Sequence, residues 1–115
     1  MVEVYTSRWA NRELAHLRCQ PVGISRGTPR FPLPYRYRIV RELAPSREMF
    51  GLEPREFEAA YKAGLEEIGL ETIVERLEGI SREAGGLPLV LLCFEPAGLF
   101  CHRRTLAECL RAKIG

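Results

Sequence analysis

The sequence predicts an α/β fold: a small single domain with a parallel, or mostly parallel, sheet of about three to four strands flanked by helices. Three observations predict it. Short apolar segments that read as strands alternate with segments of helical periodicity. The segment Leu89 to Phe94 is apolar at nearly every position, the pattern of a strand covered on both faces. Polar and charged residues gather just after each strand-like segment, where the loops of a parallel sheet collect at one edge.

The elements follow in order. Val2 to Tyr5 alternates apolar and polar residues and predicts a short strand, with Thr6, Ser7 and Arg8 as the loop after it. A helix is expected from Ala10 to Leu17, with Ala10, Leu14 and Leu17 on one face. Pro21 to Ser25 reads as the second strand, since proline is tolerated at a strand's first position. Ser25 to Arg38 is a stiff loop in which Pro29, Pro32 and Pro34 remove backbone donors. A short helix fits Tyr37 to Leu43. In Pro54 to Ile68, Phe57, Ala60, Tyr61, Gly64, Leu65 and Ile68 form one apolar stripe, with Pro54 and nearby glutamates suited to a first helical turn. A second helix, Glu71 to Ala84, turns Ile73, Val74, Leu77 and Ile80 inward and stops at Gly85-Gly86. Cys101 to Ile114 reads as a last helix with Leu106, Ala107, Leu110 and Ile114 on one side.

Composition narrows the class. The 115 residues are 46% hydrophobic and 28% charged, which excludes a disordered chain and fits one domain over residues 1–115. No basic segment followed by an apolar run opens the chain, and its longest apolar run, Leu87 to Phe94, is too short to span a bilayer. The expectation is a cytoplasmic protein without membrane contact, whose Cys19, Cys93, Cys101 and Cys109 are thiols. The net charge of +2 conceals an asymmetry. Arg18 to Arg47 holds seven arginines and one acid, whereas Glu48 to Ala84 holds ten glutamates and four basic residues. A basic face suits phosphate or another anion; an acidic helical face ordinarily meets water.

The candidate site follows from the loops. Arg8 follows the first strand, Ser25, Arg26, Thr28 and Arg30 the second, and Glu95, Cys101, His102 and Arg103 the third. In a parallel sheet these converge. Arg8, Ser25, Arg26, Arg30 and Arg103 are the candidate anion ligands, helped by the last helix's N-terminus. Cys101, beside His102 and two arginines at that terminus, is a candidate nucleophile, since such settings bring thiols to about 3.5–7.5. His102 and Glu95 are the candidate proton carriers. Standard motifs do not fit. A phosphatase-type loop needs arginine six residues after its cysteine; Ala107 and Leu99 stand there instead. No Cys-x-x-Cys pair supports a metal site, and no Gly-x-Gly-x-x-Gly or Walker pattern supports a dinucleotide or P-loop cofactor, so none is assigned. Arg30, Phe31, Tyr35, Arg36, Tyr37 and Arg38 interleave cations with rings, as single-strand nucleic-acid platforms do; alternatively the rings plug the loop onto the core.

Together "VGISRGTPRF", "LAPSREM", the spacing of Phe57, Tyr61 and Leu65, and the Cys93-x-Glu95 then Cys101-His102-Arg103 pairing resemble the DUF488 family, small bacterial and archaeal proteins of uncharacterised function. The resemblance covers essentially the whole chain. It marks Cys93, Glu95, Cys101, His102 and Arg103, and the segment Ser25, Arg26, Pro29 and Arg30, and implies no reaction.

The first expected function is binding of a phosphate-bearing ligand, nucleotide or nucleic acid, at the carboxyl edge of the sheet. The alternatives are a cysteine-dependent enzyme with Cys101 as nucleophile, or an interaction protein using its acidic helices.

Overall fold

A computed structural model describes residues 2–94 and 102–114 of the chain. Four strands, β1 (Val4–Arg8), β2 (Gln20–Gly23), β3 (Arg38–Ile39) and β4 (Leu89–Cys93), form one sheet in the order β1-β4-β2-β3, and every pair is parallel. Three α-helices, α1 (Pro54–Ile68), α2 (Leu70–Glu83) and α3 (His102–Ile114), accompany it, with short 3-10 turns at Arg12–His16, Arg41–Leu43 and Arg47–Gly51. The predicted parallel α/β class is what the chain adopts.

β4 lies between β1 and β2, and all five of its residues are buried, which is why its sequence lacks alternation. One face of the sheet presents Val4, Val22, Ile24, Leu89 and Leu91 to Phe57, Tyr61 and Leu65 of α1, Ile73, Leu77 and Ile80 of α2, and Leu106 and Leu110 of α3. Among the described residues, the opposite face has no α-helix. There Val90 and Leu92 pack under Trp9 and Leu14, with Leu33 and Tyr35 from the proline-rich loop closing the layer. The helix lengths allowed by the prolines explain this division: residues 26–37 cannot become a crossover helix and serve as a cover instead.

Pro21 is compatible with an inner strand for a geometric reason. Gln20 donates to the Pro88 carbonyl just before β4 (2.8 Å) and Ile24 to the Leu92 carbonyl in it (3.0 Å), so Pro21 faces the β3 side, and β3 pairs only with Val22 and Gly23. The missing donor therefore meets no acceptor. At the end of α2, Gly85 and Gly86 both take a φ of 86°, and the Gly86 amide closes on the Ser81 carbonyl at 2.7 Å. That left-handed stop requires glycine.

Several expectations are corrected. Thr6, Ser7 and Arg8 belong to β1 rather than to a loop, in register with Leu91, Leu92 and Cys93. An edge strand with one side toward solvent tolerates them. The helix expected over Ala10–Leu17 is a single 3-10 turn in which only Leu14 is buried; Ala10 and Leu17 are exposed. Asn11 caps that turn by accepting the Glu13 amide at 3.1 Å, and the bulk that covers the sheet there is Trp9. Within Tyr37–Leu43 the chain first forms β3, because Val22 and Gly23 offer it an unpaired edge, and only then a 3-10 turn. Ile68 ends the α1 stripe 38% exposed rather than buried. The side chain of Ile114 lies outside the described residues. Among those described, no helix is long and apolar enough to cross a membrane.

Candidate functional site

The site is assembled by the first turn of α3. His102 and Arg103 are both buried there. The Nε2–H of His102 donates to the Ile24 carbonyl at 2.6 Å; a carbonyl only accepts, so this bond fixes the proton on Nε2. Arg103 Nη1 donates to Cys93 Sγ at 2.8 Å. One residue thus ties the helix to the carboxyl end of β2 and the next to the carboxyl end of β4. Arg8 is the register partner of Cys93 on β1, and Ser25 and Arg26 directly follow Ile24. Arg8, Ser25, Arg26, His102 and Arg103 therefore share one edge of the sheet. Arg30 is exposed in the loop that follows β2. Glu95 and Cys101 lie outside the described residues.

Within that edge the residues differ in what they can offer. Arg8, Arg26 and Arg30 are exposed. Ser25 is buried and its hydroxyl is engaged twice, accepting from Trp9 Nε1 at 2.9 Å and donating to the Gly27 carbonyl at 2.6 Å. It holds the start of the loop against Trp9. The Arg26 guanidinium makes a long contact to the Pro45 carbonyl, 3.5 Å, and lies in the wall of a groove of about 580 Å³ lined also by Arg41, Glu42, Ser46, Tyr61, Glu67 and Ile68. Tyr61 separates this groove from the α3 terminus: its ring meets the His102 ring edge-on at 5.2 Å, and its hydroxyl donates to the Leu43 carbonyl at 2.6 Å. Burial holds the Tyr61 hydroxyl far above its ordinary pKa, so it stays a donor.

The expectation of four thiols is corrected at Cys93, which is disulfide-bonded, while Cys19 and Cys109 are free. The partner of Cys93 lies outside the described residues. Bridging depends on which cysteines meet in space, which composition and spacing do not record. Cys19 is a partly buried thiol raised in pKa by desolvation, as a packing cysteine should be. Among the described residues, no three His, Cys, Asp or Glu side chains gather as a metal-binding set.

Two aromatic contributors, Trp9 and Phe94, were missed from the sequence; Tyr35 and Tyr37 belong to the arginine–aromatic segment already singled out. Trp9 is 1% exposed and is fixed by the Ser25 bond, by its amide to the Cys93 carbonyl at 3.1 Å, and by Tyr35, whose hydroxyl donates to the Trp9 carbonyl at 2.7 Å. Tyr37 meets the indole edge-on at 5.0 Å and Phe94 at 6.4 Å. The available signal was the chain's single tryptophan, placed at a strand end opposite a glycine-bearing strand.

The fold defines a small parallel α/β protein with Arg8, Arg26 and Arg103 gathered at the carboxyl ends of its strands. The chain belongs to the DUF488 family: the model described as "Domain of unknown function DUF488" matches residues 7–110. A search of curated proteins and a search of solved structures give no match.

Proposed function

We propose that this edge binds a phosphate-bearing ligand, a nucleotide or nucleic acid. The observation that carries the reading is the docking of α3: His102 and Arg103 pin its N-terminus, the positive end of the helix dipole, over the carboxyl ends of β2 and β4. Arg8 and Arg26 are exposed at the carboxyl ends of β1 and β2, and Arg30 is exposed in the loop after β2; these supply the cations that a phosphate needs.

Thermal unfolding at low salt tests the reading, with inorganic phosphate, sulfate and mononucleotides as probes. At a hundredfold excess over Kd a ligand adds about 2.7 kcal/mol, several degrees in Tm for a chain of this size. Arg103→Ala should abolish the rise. Because Arg103 is buried and that variant can lose stability for other reasons, the exposed pair Arg8→Ala and Arg26→Ala provides the second arm and should weaken the response without unfolding the protein. No response to any anion refutes the proposal.

A second reading, cysteine-dependent chemistry with Cys101 as nucleophile, draws support from one observation: sulfur at this edge is already oxidised, and the Cys93 sulfur receives an arginine N–H. After reduction, Cys101 should alkylate much faster than Cys93 near neutral pH. Equal, slow labelling of the two removes this reading.

A further inference from the structure

We propose that the face of the sheet covered by Trp9, running up to the carboxyl end at Phe94, carries a stacking platform for single-stranded nucleic acid, with Tyr37 and Phe94 as the base-stacking rings and Arg8, Arg30 and Arg36 as the phosphate contacts. This rests on the phosphate-binding reading above and names its ligand class.

The platform is built from the inside outward. Trp9 is buried and immobilised by bonds to Ser25, Tyr35 and Cys93. Gly23 leaves the space its indole occupies, since a Cβ there would come within 2.4 Å of the six-membered ring. On this fixed base lie two further rings, Tyr37 at 5.0 Å and Phe94 at 6.4 Å, and these are not buried: Tyr37 is 37% and Phe94 48% exposed. Two exposed rings held at one rigid indole lose little freedom when a base stacks on either. Tyr35, by contrast, is turned inward onto Trp9, so the loop's aromatics divide between plugging the core and facing solvent.

The charge around the rings selects the partner. Between Tyr5 and Arg41 the chain has eight arginines and one acid, Glu13. Arg8 precedes Trp9 and Arg36 precedes Tyr37, and both are exposed, as is Arg30. Arg38 is different, because it pairs with Glu83 at 3.2 Å. Exposed rings set among exposed arginines suit a strand whose bases are splayed and whose phosphates are regularly spaced; a duplex hides its bases, and an apolar protein surface has no use for the cations. The rings discriminate between bases weakly, so binding should tolerate sequence.

Fluorescence anisotropy with a labelled oligothymidylate of about ten nucleotides tests this at low salt. The expected result is binding tighter than that of the matching duplex and of thymidine monophosphate. Tyr37→Leu and Phe94→Leu should each weaken it by about tenfold, whereas Tyr37→Phe retains it, because the ring and not the hydroxyl carries the contact. Arg36→Ala and Arg8→Ala should each lower the slope of log affinity against log salt by about 0.7. Circular dichroism on every variant verifies the fold. No oligonucleotide binding at low salt overturns the proposal, as does binding indifferent to both leucine substitutions or no tighter than the monophosphate. The last outcome leaves the phosphate site standing. Oligonucleotide binding unaffected by Arg103→Ala, with no thermal response to phosphate, retains the platform and refutes the site at α3.

Discussion

Gly23→Ala is the sharpest single perturbation of this molecule. A methyl group built on Gly23 would lie 2.4 Å from both the Cζ2 and the Cη2 atoms of Trp9, where ordinary carbon contacts begin near 3.4 Å. One of the two must move by about 1 Å, and neither does so easily. Gly23 is in β2, hydrogen-bonded into the sheet, and receives the Val40 amide at 3.0 Å; Trp9 is 1% exposed and held by Ser25 and Tyr35. Overpacking of this kind costs about 2–3 kcal/mol, and at roughly 4 °C per kcal/mol the melting temperature should fall by about 10 °C. Denaturant unfolding followed by circular dichroism gives the number, and the chain's single tryptophan reports the displaced indole directly by its fluorescence. A double-mutant cycle isolates the cause. Trp9→Phe leaves vacant the volume that the new methyl enters, so Gly23→Ala in that background should cost under about 1 kcal/mol, a coupling of at least that size. Equal costs in the two backgrounds would show that the contact with Trp9 is not what requires glycine.

Other consequences can be checked with the same instruments. Tyr61→Phe deletes a buried bond of 2.6 Å and strands the Leu43 carbonyl, so it should lower stability by about 1–2 kcal/mol in urea. Burial also sets an alkaline limit. Tyr35 is pushed up from its ordinary value near 10 to about 12, and Tyr61 is raised further, both chiefly by desolvation. A phenol whose folded pKa exceeds its unfolded one contributes fully below pH 10 and loses that contribution as the pH rises through the folded value. Stability should therefore fall between pH 10 and 12, and a flat profile there contradicts the burial of both rings. Arg38→Ala severs only an exposed pair with Glu83 and should change stability by under about 1 kcal/mol. Reduction breaks the Cys93 disulfide and should lower the melting temperature, with Cys93→Ser reproducing the shift and showing no further response to reductant.

How far the sequence reached differs by element. α1 was legible to the residue, because Phe57, Tyr61 and Leu65 recur at helical spacing behind Pro54, and both signals are local. β4 was legible for the same kind of reason: five consecutive apolar residues report a strand with two covered faces. The errors fell where neighbours decide. Arg38–Ile39 extends because β2 offers it a free edge, not because of its own composition. Ala10–Leu17 had enough periodicity for a helix, yet Trp9 fills the space such a helix would cover. At the site, the gathering of Arg8, Arg26, His102 and Arg103 followed from parallel topology alone. The separate engagements of Ser25 with Trp9, of Arg26 with the groove, and of Cys93 in a disulfide did not.

By itself the chain determined its parallel α/β class, its main helices and the strand ends after which its cations fall, since these depend on hydrophobic period, proline placement and the rule that parallel strands end together. Tertiary structure alone decided which of those side chains face solvent and which are spent on holding others. Whether a ring or a guanidinium is buried depends on partners dozens of residues away, such as Ile24 for His102 or Gly23 for Trp9, and no local pattern records such meetings.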